Sequence, residues 1–172
     1  MILGSEESFT RAKVSEPERS TPFMSEQDNL RITRETLSAM NARELDRYLS
    51  YLAESHVWEN DAFPAPIQGR EGARQILGMY LEAFPDLCFE AERIITSGDH
   101  VVTCWRMTGT HKAQFRGPGA LDIPPTNKQI GSRGCTVAEI KNGRVMRSVV
   151  YSDRLATLQQ LGVLPVGKPV AA

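Results

Sequence analysis

The chain has 172 residues, of which 41% are apolar and 24% charged, a length and balance suited to one soluble domain with a real core. A net charge of −1 gives no electrostatic basis for binding nucleic acid or an anionic membrane, and no apolar run reaches the ~18 residues that span a bilayer. The opening Met-Ile-Leu-Gly-Ser-Glu-Glu lacks the basic flank and apolar stretch of a signal peptide, so a cytoplasmic location is the default expectation.

Residues 1–24 are polar, with two prolines and few periodic apolar positions, and read as a flexible tail. One domain is expected over 25–165, followed by a short C-terminal tail, 166–172. Ser25-Glu-Gln-Asp28 has the form of a capping box, opening a helix to about Ala39. Asn41-Ala-Arg-Glu44 gives a second start. Leu45, Tyr48, Leu49 and Leu52 follow at i, i+3, i+4 and i+7, an amphipathic helix. Ser55 to Asp61 reads as a short strand ended by Phe63-Pro-Ala-Pro66. A third helix runs from about Arg70 to Phe84, with Ala73, Ile76, Leu77, Tyr80, Leu81 and Phe84 on one stripe and Pro85 closing it.

Residues 87–97 and 100–112 form two strands around Gly98-Asp99. One face of that hairpin groups Phe89, Ala91, Ile95, Val102 and Cys104; the other groups Ile94, Val101, Trp105 and Met107. Neither face is polar, so both are expected to be covered, one lining a cavity under the helices and the other packing on a second subunit as a homodimer. The connection Ala113 to Pro125 holds Gly117, Pro118, Gly119, Pro124 and Pro125. It is long for a compact domain, which suggests a lid over the cavity. Two long strands, about 128–141 and 144–152, flank Asn142-Gly143, a pair that tolerates the positive φ of a type I′ turn. Asp153 then leads into a short helix, Leu155 to Leu161, that Gly162 stops. Segregated helices and strands with short connections predict an α+β fold with an antiparallel sheet.

Cys88, Cys104 and Cys135 sit in apolar strand-like runs without a C-x-x-C pair and read as small buried hydrophobes. His56, His100 and His111 make no metal-ligand spacing, so no metal site is expected.

Pro66-Ile-Gln-Gly-Arg-Glu-Gly72, Ala83-Phe-Pro-Asp86, Gly109-Thr-His111, Pro124-Pro-Thr-Asn-Lys128, Asn142-Gly143 and Asp153 with Gln160-Leu-Gly162 follow one another in a recognisable order. Over about residues 28 to 165 this order resembles the SnoaL-like polyketide cyclases, a branch of the nuclear transport factor 2-like superfamily. Asn127 stands where that family usually has Gly, a mild departure because Asn tolerates left-handed φ. The resemblance implies a cone-like α+β domain whose strongly bent antiparallel sheet wraps N-terminal helices around one deep pocket. It also implies a homodimer, no cofactor, and ring closure on a polyketide-like small molecule by intramolecular aldol chemistry.

Asp153 is the first catalytic candidate: it sits at a strand-to-helix junction, where it serves either as a helix N-cap or as a proton carrier. In similar cyclases an acid in this region shuttles the proton. His111 ends a strand on the alternating face of Trp105 and Met107; it either donates to an oxyanion or simply bonds loop backbone. Glu139 alternates onto the face of Cys135 and Val137, where apolar surroundings would raise its pKa, or it pairs with Arg144. Trp58 and Asn60 share a strand face beside Asp61, an apolar plate with hydrogen-bonding groups for a ligand, or else a core Trp and a turn Asn. Tyr48, Tyr80 and Trp105 lie on core stripes, and their OH and NH groups need partners that a half-wet cavity would supply. Two other functions stay open. Epoxide opening would use Asp153 with Glu139 or Asp61, and a non-enzymatic small-molecule binder would need none of them.

Overall fold

The computed structural model describes residues 25–117 and 121–165; the two expected tails and residues 118–120 of the Ala113–Pro125 connection lie outside the described residues. Helices α1 (Glu26–Asn41) and α2 (Leu45–Ser50) precede strands β1 (Leu52–Asn60) and β2 (Ile67–Gln68) and helix α3 (Gly69–Ala83). The hairpin β3 (Cys88–Ser97) and β4 (His100–Thr110) follows, then β5 (Phe115–Gly117) and β6 (Leu121–Ile123). The chain finishes with β7 (Gln129–Lys141), β8 (Arg144–Ser152) and α4 (Arg154–Leu161).

Local chemistry sets these boundaries. The Ser25 hydroxyl accepts from Asp28 N at 3.2 Å while the Asp28 carboxylate accepts from Ser25 N at 3.3 Å, a complete capping box. Asn142 and Gly143 adopt φ of 51° and 73°, as the β7–β8 turn requires. Gly162, at φ 78°, ends α4 in the left-handed conformation. Asn127 also takes positive φ, 57°. The Asn41 amide donates to the Phe89 carbonyl at 2.7 Å and accepts from Phe89 N at 2.8 Å, which pins the end of α1 to the start of β3.

Six strands form one sheet in the order β2-β1-β8-β7-β4-β3. All neighbours pair antiparallel except β1 and β8, which run parallel. The sheet is therefore mixed rather than purely antiparallel. Residues 61–143, from β2 to β7, lie between those two strands and supply the long crossover that a parallel pair needs. The helices lie over one face. Along β7, Ile130, Ser132, Thr136, Ala138 and Ile140 turn towards them, while Cys135, Val137 and Glu139 face outward.

A bulge between Ala91 and Arg93 changes the parity of β3. Phe89 thus pairs with Met107 and meets Trp105 edge-on at 5.4 Å on the inner face, instead of joining Ile95 and Val102 outside. The outer face keeps Ile95 and Tyr151 exposed, with Cys104 and Cys135 half-buried. Cys88 is exposed. The cysteines are therefore not core fillers, because all three lie off the helix-covered face.

The Ala113–Pro125 connection contains a small hairpin, β5–β6, that pairs Phe115 with Ile123. Both side chains are buried against Phe84, Trp105 and Leu161. They close one end of the interior. A second buried cluster, around Ile32, Leu49, Leu52, Val101 and Ile140, closes the other.

Candidate active site: the cavity between the helices and the sheet

A cavity of about 200 Å³ lies between the two buried clusters. Apolar side chains from α1, α3, α4 and the inner sheet face form most of its wall. Burial of that kind strengthens any polar interaction made inside, because few waters compete. Its polar groups are consequently the informative ones.

Strand β1 supplies three of them. His56, Trp58 and Asn60 alternate onto the cavity face, as a period of two demands. Between Leu52 and Val57 the pairing with β8 slips: five steps of β1 are set against the two from Val145 to Arg147. Irregularities of this kind re-aim side chains, and here His56 is left 2% exposed, turned inward. Its Nε2 lies 3.1 Å from the Ser148 hydroxyl, while Nδ1 is buried with no hydrogen-bond partner among the described residues. Burial pushes the imidazole pKa down to about 4, so the ring is neutral at neutral pH. The Asn60 side-chain oxygen accepts from Ala62 N at 2.8 Å, fixing the amide at the strand end. Trp58 packs against Phe63 at 5.7 Å.

The helices and β4 supply the rest. Tyr48 and Tyr80 line the cavity; burial raises both hydroxyl pKa values, that of Tyr48 to about 12. Both stay protonated and able to donate. Arg154, the first residue of α4, also lines the cavity. Its guanidinium donates to the Ala62 carbonyl at 3.1 Å and partly offsets the effect of burial on Tyr80. Trp105 lies over Gly134, its cross-strand partner, and its Nε1 donates to the Thr136 hydroxyl at 2.9 Å.

Five of the nine sequence candidates thus meet in one cavity: Tyr48, Trp58, Asn60, Tyr80 and Trp105. The other four lie off it. Asp153 is exposed and caps α4, its carboxylate accepting from Ala156 N at 2.8 Å. Helix-capping geometry turns the carboxylate back over the helix start, while its neighbours Ser152 and Arg154 face the cavity.

His111 is buried, but behind the wall, where it does not line the cavity. Its Nδ1 accepts from Thr126 N at 3.2 Å, and its ring packs on Phe84 at 5.2 Å. Main-chain bonds from His111 N to Lys128 O and from Asn127 N to His111 O complete a pin for the Pro-Pro-Thr loop. Burial holds its pKa below the ordinary value, partly opposed by the Ala113 carbonyl.

Glu139 faces outward and bonds Lys141, which holds its carboxyl below the usual carboxylate range. The expected rise in pKa is overturned because the outward face at that end of the sheet carries Lys141, Arg147 and His100. Asp61 is exposed in the turn after β1. Among the described residues, no carboxylate lines the cavity.

The site also contains His56, Ser148 and Arg154, which the motif reading did not select. A usable signal existed for His56: it shares the alternation that singled out Trp58 and Asn60. Arg154 stands beside Asp153 and carried no motif of its own.

The family model for SnoaL-like polyketide cyclases matches residues 30–161. No curated protein gives a significant sequence match. Among solved structures, AclR of Streptomyces galilaeus, described as a proposed hydroxylase, aligns with a TM-score of 0.73 at 21% identity. That alignment covers 84% of this chain and 87% of AclR. IdmH of Streptomyces antibioticus, described as a proposed polyketide cyclase, gives 0.66 at 25% identity over 79% of this chain and 99% of its own. TsrD of Streptomyces laurentii gives 0.71 at 19% identity over 82% and 99%. These likenesses speak to the fold. The extent of the family match says more, and this chain belongs to the SnoaL-like polyketide cyclase family.

Proposed function

We propose that the cavity binds a largely apolar, polyketide-like molecule and closes a ring on it by acid/base chemistry, with His56 rather than Asp153 accepting the proton. The observation that carries this reading is the buried imidazole on the cavity wall: with Nε2 3.1 Å from the Ser148 hydroxyl, its buried Nδ1 has no hydrogen-bond partner among the described residues. If Nε2–H donates to Ser148, the Nδ1 lone pair is the acceptor. A carbon acid between two carbonyls placed there gives up its proton to Nδ1, and the resulting enolate attacks a second carbonyl of the same chain. A pKa of about 4 marks a weak base. The cause is desolvation, and an enolate formed beside the ring offsets it by pairing with the imidazolium. Tyr48 and Tyr80 remain donors for the developing oxyanion, and Arg154 adds fixed positive charge.

Two contributions suffice for such a reaction. Orientation of an intramolecular attack supplies up to ~7–11 kcal/mol, and a positioned base adds ~10²–10⁴-fold. Epoxide opening asks for a carboxylate beside the nucleophile, whereas Asp61, Glu139 and Asp153 all lie off the cavity. With no carboxylate among the described residues that line the cavity, one competing reading is a protein that holds such molecules without converting them.

The test uses β-polyketone substrates and His56→Gln. Loss of turnover by ~100-fold or more, with ligand affinity and melting temperature kept, supports the base assignment. Full turnover in that variant removes it. Tight binding by the unaltered chain with no conversion of any β-polyketone leaves the binding-protein reading standing.

A further inference from the structure

The outer face of the sheet carries a feature that ring closure does not use. Cys104 of β4 stands directly opposite Cys135 of β7, both half-buried and both free thiols. Directly opposed residues of antiparallel strands have Cα atoms ~4.5–5.5 Å apart, inside the ~4.4–6.8 Å span of disulfides. On each strand the next residue turns the other way: Trp105 and Thr136 line the cavity, joined by their 2.9 Å bond. The thiol pair therefore sits directly behind the cavity wall. Cys88, at the far end of β3, pairs with Thr108 and has no such neighbour. No third His, Cys, Asp or Glu joins the pair as a metal-ligand set among the described residues.

We propose that Cys104 and Cys135 form a reversible dithiol–disulfide site whose reaction partner is a low-molecular-weight disulfide of the glutathione type. The Cys104 thiolate attacks one sulfur of the small disulfide, forming a mixed disulfide and releasing one small thiol. The Cys135 thiolate then attacks the Cys104 sulfur, closing the intramolecular disulfide and releasing the second small thiol. Two protein thiols are oxidised, one small disulfide is reduced to two thiols, and the two protein protons end on the released thiols. Burial and the neighbouring Cys104 raise the Cys135 pKa, which suits Cys135 to the second, intramolecular step, where proximity compensates for a smaller thiolate fraction.

The experiment equilibrates the full chain in mixtures of reduced and oxidised glutathione, traps free thiols with an alkylating agent, and maps the peptides by mass. The expected product is one cross-link, Cys104 to Cys135, whose yield is independent of protein concentration, with Cys88 found free or as a glutathione adduct. In Cys104→Ser the cross-link disappears and Cys135 is found alkylated or as a glutathione adduct. Alkylation of both Cys104 and Cys135 in the most oxidising mixture overturns the proposal. So does a cross-link that runs to Cys88 or to another chain. The decisive measurement uses the unaltered chain, so a variant that fails to fold cannot mask the outcome.

Discussion

Two substitutions at Asp153 separate its part in holding helix α4 from any part in turnover. In the structure its carboxylate accepts from Ala156 N at 2.8 Å, and its carbonyl receives the Thr157 hydroxyl at 3.0 Å. Helix α4 has eight residues, too few to be stable alone, and is held by Leu158 and the 2% exposed Leu161 in the core. Asp153→Ala removes the cap acceptor and should cost about 1 kcal/mol, which lowers the melting temperature by roughly 2–4 °C in a domain of this size. Asp153→Asn keeps a side-chain oxygen at the same place and ranks equally as a cap, so its melting temperature should match the parent. Because the carboxylate does not line the cavity, turnover should also match. Thermal melts and urea midpoints read the first effect, and initial rates on a β-polyketone read the second. A fall of ~100-fold or more in the rate of Asp153→Asn at an unchanged melting temperature would make Asp153 the proton carrier. The assignment to His56 would then fail.

His56 should also give the fold a pH dependence. Its folded pKa of about 4 lies below the ordinary imidazole value of 6.5, so between these values the unfolded chain binds a proton that the folded chain does not. The stabilisation from keeping this ring neutral is complete above pH 6.5 and is lost as pH falls from there towards 4, by about 3 kcal/mol across that window. His56→Gln should flatten this part of a urea-stability profile; an equally steep profile in the variant would refute the assignment. Gly134→Ala would place a methyl inside contact distance of the Trp105 ring and the Tyr151 carbonyl. It should destabilise by roughly 1–3 kcal/mol through overpacking and shift Trp105 fluorescence, and an unchanged urea midpoint would contradict the packing described.

The parts of the fold that could be read from residues alone were those fixed by local chemistry. Ser25 with Asp28, Asn142 with Gly143, and Gly162 each satisfy backbone groups within a few residues, so their meaning does not depend on the rest of the chain. The grouping of Phe89 with Ile95 failed for the opposite reason. Alternation assumes an unbroken strand, and the bulge at Ala91–Arg93 carries no Gly or Pro to announce it. The parallel pairing of β1 with β8 was equally hidden, since strand order depends on which apolar faces the whole domain must cover.

The site follows the same division, with one instructive exception. Aromatic and amide positions reached the cavity because periodicity alone aims them: Trp58 and Asn60 by twos, Tyr48 and Tyr80 by the turns of a helix. Asp153 and Glu139 did not, because each found a partner that satisfied it outside: Asp153 the start of α4, and Glu139 the ammonium of Lys141; Asp61 stays exposed in a turn. An ionised carboxylate turned into an apolar cavity loses several kcal/mol of hydration unless it is paired, so any external partner within reach tends to win. A histidine differs because it can shed its charge. His56 enters the cavity as the neutral ring, with Ser148 at one nitrogen and Nδ1 left over. That nitrogen is buried and without a partner among the described residues, and it is there that the proposed ring closure puts its proton acceptor.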